Sequence, residues 1–275
     1  MAKRITSTVV LWLAVLTVLW FYRTDGAVAV IVGVSILTLR ELYKLMDAAG
    51  NAPFAGLGLV FGGLITLAPW AEARHGIPAY PLVALAAVVF SIRILLERAP
   101  EKRVEALSST LFGLVYISLL LQYLVRIVTP AAGDTVPPAG RLVLCLWVVA
   151  VAKFCDVGAL LTGLAFGRHP MAPGISPKKT WEGLAGSVLT GVAGGAILLV
   201  TLLHGQVWQG LILGAAAVAA ATLGDLAESM IKRDLDIKDM GSVLPGHGGV
   251  MDRIDSLLVV APVVWLLLTV FVPRG

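Results

Sequence analysis

Arg141-Leu142-Val143-Leu144-Cys145-Leu146-Trp147-Val148-Val149-Ala150-Val151-Ala152-Lys153-Phe154-Cys155-Asp156-Val157-Gly158-Ala159-Leu160-Leu161-Thr162-Gly163-Leu164-Ala165-Phe166 decides the fold. From Leu142 onward the run carries only two charges, Lys153 and Asp156. About 20 mainly apolar residues make a helix long enough to cross a bilayer. The same pattern recurs on both sides, giving nine predicted spans at 5–22, 27–46, 54–70, 79–97, 106–126, 142–166, 183–203, 208–230 and 254–272. The fourth is the least regular because it contains Arg93, and the third is short and holds Gly56, Gly58, Gly62 and Gly63. Nine such helices use about 180 residues, leaving too few for a second, water-soluble domain. The prediction is an all-α polytopic membrane protein in one domain, 1–275. N-terminal spans lie in 1–140, and the chemistry-bearing spans and loops in 141–275.

Composition supports this. Of the 275 residues, 58% are hydrophobic and 14% charged, with mean hydropathy +0.91. Soluble domains carry about 25% charged residues. Disorder is excluded by the hydrophobicity and a disulfide scaffold by the presence of only two cysteines. A typical nucleic-acid binder is excluded by a net charge of only +4, despite a pI of 9.2. The first span follows Lys3 and Arg4 and precedes Ala27-Val28-Ala29, which resembles a signal peptide. Its apolar run is long for one and more spans follow, so it reads as a membrane span. Cys145 and Cys155 lie ten residues apart on one predicted helix. At about 1.5 Å per residue they are too far apart to bridge.

Lysine and arginine flank the spans unevenly. One set of ends holds Lys3, Arg4, Arg40, Lys44, Arg98, Lys102, Arg103, Arg168, Lys178, Lys179, Lys232, Arg233, Lys238 and Arg253. The other holds Arg23, Arg74, Arg126, Arg141 and Arg274. The positive-inside rule places the N-terminus in the cytoplasm and the C-terminus outside. It also places loops 167–182 and 231–253 in the cytoplasm and loop 129–140 outside.

Charges inside spans are costly and usually face a partner or a polar cavity. Arg93 is read as snorkelling to the cytoplasmic edge. Lys153 and Asp156, Asp225 and Glu228, and Asp252 and Asp255 each sit at i,i+3, hence on one helix face. Lys153–Asp156 reads equally well as a buried ion pair. Asp225, Asp252 and Asp255 call for a cation, because converging carboxylates repel. Mg²⁺ accepts a few carboxylates and leaves positions for phosphate oxygens. Ser176-Pro177-Lys178-Lys179-Thr180 offers hydroxyls and ammonium groups to a polyphosphate, although Thr180 also stands where it would cap a helix. Gly246-His247-Gly248-Gly249 precedes the helix opened by Asp252 and Asp255, and glycine-rich backbone at a helix N-terminus suits an anion. His247 either orders that turn or touches phosphate.

The stretches Ser229-Met230-Ile231-Lys232-Arg233, Lys238-Asp239 and Leu244-Pro245-Gly246-His247-Gly248-Gly249-Val250-Met251-Asp252-Arg253-Ile254-Asp255 resemble the signature of the phosphatidate cytidylyltransferases, or CDP-diacylglycerol synthases. A second block is similar too: Asp156-Val157-Gly158-Ala159, Phe166-Gly167-Arg168 and Ser176 to Gly183. The resemblance covers roughly 145–260. Leu160 departs from it, standing where bacterial members often have an aromatic, which bears on pocket lining. The resemblance implies transfer of CMP from CTP to phosphatidate, with Mg²⁺ and a second cation, K⁺ or another divalent, held by Asp225, Asp252 and Asp255, and with Asp156 as metal or substrate support. The catalytic set expected is Asp225, Asp252, Asp255, Lys232 and Arg253. The expected nucleotide-binding set is Ser176, Lys178, Lys179, Thr180, Arg233, Lys238, His247, Gly248 and Gly249. A homodimer in a bacterial cell inner membrane, with a cytoplasmic active site and no nucleic-acid partner, is also implied.

Two other classes compete. A CTP-dependent polyprenol or lipid kinase would use similar charges but move the γ-phosphate. A transporter would carry its charges mid-span, often in repeated halves, whereas here they gather at one end of the spans. CDP-alcohol phosphotransferases use an Asp-x-x-x-Asp pattern, and here the pair is Asp252-x-x-Asp255.

Overall fold

Apolar runs punctuated by Pro, Gly and charged residues become helices almost everywhere. The computed structural model describes residues 2–96, 102–130, 138–241 and 248–271. The helices are α1 (Ala2–Ala48), α2 (Ala55–His75), α3 (Pro81–Leu95), α4 (Arg103–Gly113), α5 (Leu120–Val128), α6 (Pro138–Phe166), α7 (Trp181–Leu203), α8 (Val207–Asp234) and α9 (Met251–Phe271). A π-helical turn, Leu114–Leu119, joins α4 to α5. Among the described residues seven helices are long and apolar enough to cross a membrane. This is a polytopic, helical membrane architecture.

The count differs from nine for two physical reasons. The predicted spans 5–22 and 27–46 run into one helical element, α1, broken at Arg23, whose backbone leaves the helical region (φ 46°, ψ −119°). Gly26 makes the break possible, since a Cβ there would stand 2.6 Å from the Val18 carbonyl oxygen. The fourth predicted span is only 15 residues long as α3. Arg93 on that helix places its guanidinium 5.2 Å from the Phe54 ring centroid, a cation–π contact.

The chain divides into two compact units. The first comprises Met1–Ala132 and Ile237–Arg253, the second Gly133–Asp236 and Ile254–Gly275. In the first, Tyr43 of α1 is clamped between glycines of α2 and α4. A Cβ at Gly58 or Gly113 would come within 2.5 Å of its ring, and its hydroxyl donates to the Thr110 carbonyl at 2.8 Å. Ser35 Oγ and Thr66 Oγ1 share a hydrogen bond of 2.8 Å, and Ser35 Oγ donates to Ser118 Oγ in the π turn at 3.2 Å. Buried hydroxyls in a helical bundle need such partners. At another part of this unit Asp25 accepts from Trp70 Nε1 (2.9 Å) and pairs with Arg74 (3.2 Å), and Glu72 pairs with Arg126 (3.2 Å).

The second unit is built on close helix packing through small residues. Gly158 of α6 sits against Thr190 of α7, and Gly186 of α7 against Thr162 of α6. Thr190 Oγ1 donates to the Phe154 carbonyl (2.8 Å), and Trp147 Nε1 to the Gly195 carbonyl (2.9 Å). Gly210 and Gly214 let α8 approach α7 in the same way. Such small-residue seams are how membrane helices pack without a hydrophobic driving force between them. The loop between α6 and α7 folds into a short antiparallel hairpin, β1 (Pro170–Ala172) and β2 (Ser176–Thr180), with Pro170 opposite Thr180 and Ala172 opposite Ser176. Pro173-Gly174 makes the turn.

Cys145 and Cys155 are free and buried. A membrane-permeant maleimide is therefore expected to leave both unmodified in the folded protein and to label both after denaturation. Labelling of the native chain would mean that α6 is not packed as described.

Candidate active site

Asp225 and Glu228 lie one turn apart near the C-terminal end of α8. Gly224 lets α9 come against them: a Cβ at that position would stand 2.5 Å from the Asp255 carbonyl oxygen and 3.1 Å from Ser256 Cα. One carboxylate oxygen each from Asp225, Glu228 and Asp255 then lies within 4.8 Å of the others. Glu228 and Asp255 are buried. Two lysines enter the cluster. Lys179 Nζ sits 2.7 Å from Asp225 Oδ2, and Lys232 Nζ sits 2.8 Å from Glu228 Oε2. Three carboxylates against two ammonium groups leave a residual negative charge in a partly dehydrated place, where like charges repel strongly. The donor set is all oxygen, which fits a hard divalent cation.

The hairpin carries Lys179 to this cluster. Arg233 Nε near the end of α8 donates to the Ile175 carbonyl at the hairpin turn (3.2 Å). Thr180 closes β2 and caps α7, its Oγ1 accepting from the Gly183 amide at 3.1 Å. Glu182 then accepts from the Arg168 amide (3.1 Å), the His169 amide (3.2 Å) and His169 Nδ1 (2.5 Å), tying the strand entry to the helix start. Ser176 is half-buried and Lys178 exposed on the same hairpin.

Asp156 is near this cluster through Ser256, whose buried Oγ lies 3.5 Å from Asp156 Oδ2. Lys153 Nζ pairs with the same oxygen at 2.7 Å, and both side chains are partly exposed, so this ion pair is not sealed in a core.

Asp252, Arg253, Lys238, Gly248 and Gly249 belong to the first unit. Asp252 lies in the first turn of α9, and its carboxylate accepts from the Met240 amide (3.1 and 3.2 Å) and the Gly249 amide (2.8 Å). Gly248 adopts φ 82°, which glycine alone takes without strain. Lys238 and Arg253 are exposed. Gly246 and His247 lie outside the described residues.

Two residues escaped assignment from sequence. Glu228 is visible there as an i,i+3 companion of Asp225, but its place in the cluster depends on α9. Glu41 gives no chemical signal in its own neighbourhood. Its Oε2 accepts from the Val250 amide (2.7 Å) and the Met251 amide (3.1 Å), 209 and 210 residues away. A hint does exist: Gly248-Gly249-Val250 offers α9 no side-chain cap, so its first amides need an acceptor from elsewhere.

Residues 2–271 match the family model described as "Cytidylyltransferase family". The chain belongs to the cytidylyltransferase family. Among curated members it is 42% identical over 172 residues to a protein of Mycobacterium tuberculosis named "Phosphatidate cytidylyltransferase", a match covering 62% of this chain and 50% of that one. A Synechocystis protein of the same name is 31% identical over 286 residues, covering 92% and 90%. An Arabidopsis thaliana protein named "Phosphatidate cytidylyltransferase 5, chloroplastic" is 33% identical over 268 residues, covering 87% and 63%. The chain spans about half the length of the mycobacterial relatives it matches. The cytidylyltransferase match reaches well beyond 145–260 and takes in the N-terminal helices, Glu41 included.

Proposed function

We propose that this chain transfers CMP from CTP to phosphatidate, giving CDP-diacylglycerol and pyrophosphate. The observation that carries the reading is the convergence of Asp225, Glu228 and Asp255 with Lys179 and Lys232 at the end of α8. The printed names of the relatives supply the substrate class.

A phosphate monoester has a second pKa of about 6 and is largely dianionic at neutral pH. Its oxygen attacks the α-phosphorus of CTP, the bond to the β-phosphate oxygen breaks, and pyrophosphate leaves. No protein base is required. What the chain must supply is positioning and charge neutralisation for two meeting anions. Bound Mg²⁺ and a second cation, K⁺ or another divalent, would neutralise the α-phosphate and the leaving oxygens. Asp225 and Asp255 would hold the metal, with Glu228 beside them, Asp252 as a further ligand and Asp156 as metal or substrate support. Lys232 and Arg253 are the cations we assign to the reacting phosphates. Ser176, Lys178, Lys179, Thr180, Arg233, Lys238, His247, Gly248 and Gly249 are the residues proposed for the nucleotide. Lys179 is suited to exchange its carboxylate partner for a phosphate oxygen.

The same proposal includes nine crossings with a cytoplasmic N-terminus and an external C-terminus, on the strength of the lysine and arginine distribution. It also includes a homodimer in a bacterial inner membrane with the site on the cytoplasmic side, which would let CTP arrive from water and the lipid from the bilayer.

Detergent-purified protein given phosphatidate, Mg²⁺ and CTP labelled at either the α- or the γ-phosphorus tests the reaction. The α label is expected in lipid and the γ label in pyrophosphate. The γ label in lipid would replace the reading with a lipid kinase, and no turnover at all would overturn it.

A further inference from the structure

We infer that Glu41 is a positioning residue for the signature segment Gly248–Asp252, setting the backbone from which Asp252 and Arg253 project. This rests on the proposed reading for its kinetic consequence, but its structural basis is independent of it. Glu41 lies near the end of α1 and is only 4% exposed. Its Oε2 takes the Val250 and Met251 amides at 2.7 and 3.1 Å, and Asp252 takes the preceding Gly249 amide at 2.8 Å. Three consecutive amides at the start of α9 are thus held by two carboxylates of the chain itself. An anion at the positive end of a helix is the favourable arrangement.

The glycines of the segment are shaped to this carboxylate. A Cβ at Gly249 would stand 2.9 Å from Glu41 Oε2, and a Cβ at Gly241 would stand 2.5 Å from Oε1 and 2.7 Å from Cδ. Gly241 therefore serves the close approach of Glu41, and Gly249 that of both Glu41 and the Gly241 backbone nitrogen, 2.8 Å from where its Cβ would stand. The Met240 amide donates to Asp252, so Gly241 also follows directly on a residue that fixes the orientation of the Asp252 side chain. Glu41 holds the segment from α1, and Asp252 holds it from within by accepting from the Gly249 and Met240 amides. Partners that orient a site's side chains from outside typically change activity by about 10–100-fold when removed.

The test uses full-length protein in detergent, with Glu41→Ala, Glu41→Gln and Glu41→Asp. Hydrogen exchange followed by mass spectrometry, on protein without nucleotide, reads the segment directly. Glu41→Ala is expected to accelerate exchange in peptides covering 248–253 and to leave peptides of α6 and α7 unchanged. In the assay above, kcat/KM for CTP is expected to fall about 10–100-fold, with KM for phosphatidate unchanged. Glu41→Gln keeps an acceptor oxygen and should recover part of both effects, whereas Glu41→Asp, one methylene short, should not. Should Glu41→Ala fail to fold, Glu41→Gln decides, with a smaller loss and acceleration still confined to 248–253. Unchanged exchange in that segment overturns the proposal. So does exchange rising throughout the chain together with a lower kcat at constant KM, which marks general destabilisation. If wild-type protein shows no CTP turnover, the functional reading fails while the exchange result still decides the role of Glu41.

Discussion

Asp255→Asn is expected to lower CMP transfer by about 10³-fold, and Asp225→Asn to do the same. Each replacement keeps the side chain's size and removes one negative charge from the cluster with Glu228. Charge stabilisation by a held metal is worth several kcal/mol. At 1.36 kcal/mol per decade, a loss of about 4 kcal/mol is about 10³ in rate. The residual rate should also respond less to Mg²⁺. Both variants should remain folded, because relieving mutual repulsion between carboxylates does not open a cavity. Thermal melting in detergent and initial rates across a Mg²⁺ series check this. A variant with a normal rate would remove its carboxylate from the proposed metal set.

Gly224→Ala should be nearly as damaging, although it touches no substrate. The added methyl would meet the Asp255 carbonyl at 2.5 Å and Ser256 Cα at 3.1 Å, both backbone atoms that cannot rotate away. Overpacking of this kind costs about 1–3 kcal/mol, and α9 must move relative to α8 to accept it. A misplacement of about 1 Å at a reacting centre can cost about 10²-fold. Both the melting temperature and the rate should fall. Gly33→Ala is the matching control, since nothing lies within 4 Å of a Cβ there and alanine favours a helix over glycine by about 0.5–1 kcal/mol. Equal behaviour of the two variants would mean that α8 and α9 do not pack as described.

The helices were legible because each apolar run has to hide its backbone polar groups internally, and only helix length was needed to see it. The break at Arg23 shows as a polar interruption, yet sequence alone does not distinguish a loop from a helix bent by a single residue. α3 begins at Pro81, a proline in its first turn, and its brevity is hard to read against an apolar surround. The hairpin at 170–180 was hidden, since Ser176-Pro177-Lys178-Lys179 has neither strand alternation nor apolar residues, and its order comes from α7 and α8. Asp225 and Asp255 stood out as acids at the ends of apolar runs. Glu41 did not, because an acid beside Arg40 at a span end looks like ordinary flanking charge until the distant amides of Val250 and Met251 are placed on it.

The interlock of α6 and α7 bears on how this chain can change over time. Gly158 faces Thr190, and Gly186 faces Thr162, so each helix contributes one notch and one tooth. A Cβ at Gly158 would also press within 2.6 Å of the Gly186 carbonyl, which links the two notches. Enlargement at either glycine is blocked while the threonine it faces is unchanged. At Gly186 a smaller residue in place of Thr162 would have to come before the notch is filled, and at Gly158 the Gly186 carbonyl blocks filling even then. The tolerance of each glycine to change is therefore set by the opposite helix rather than by its own.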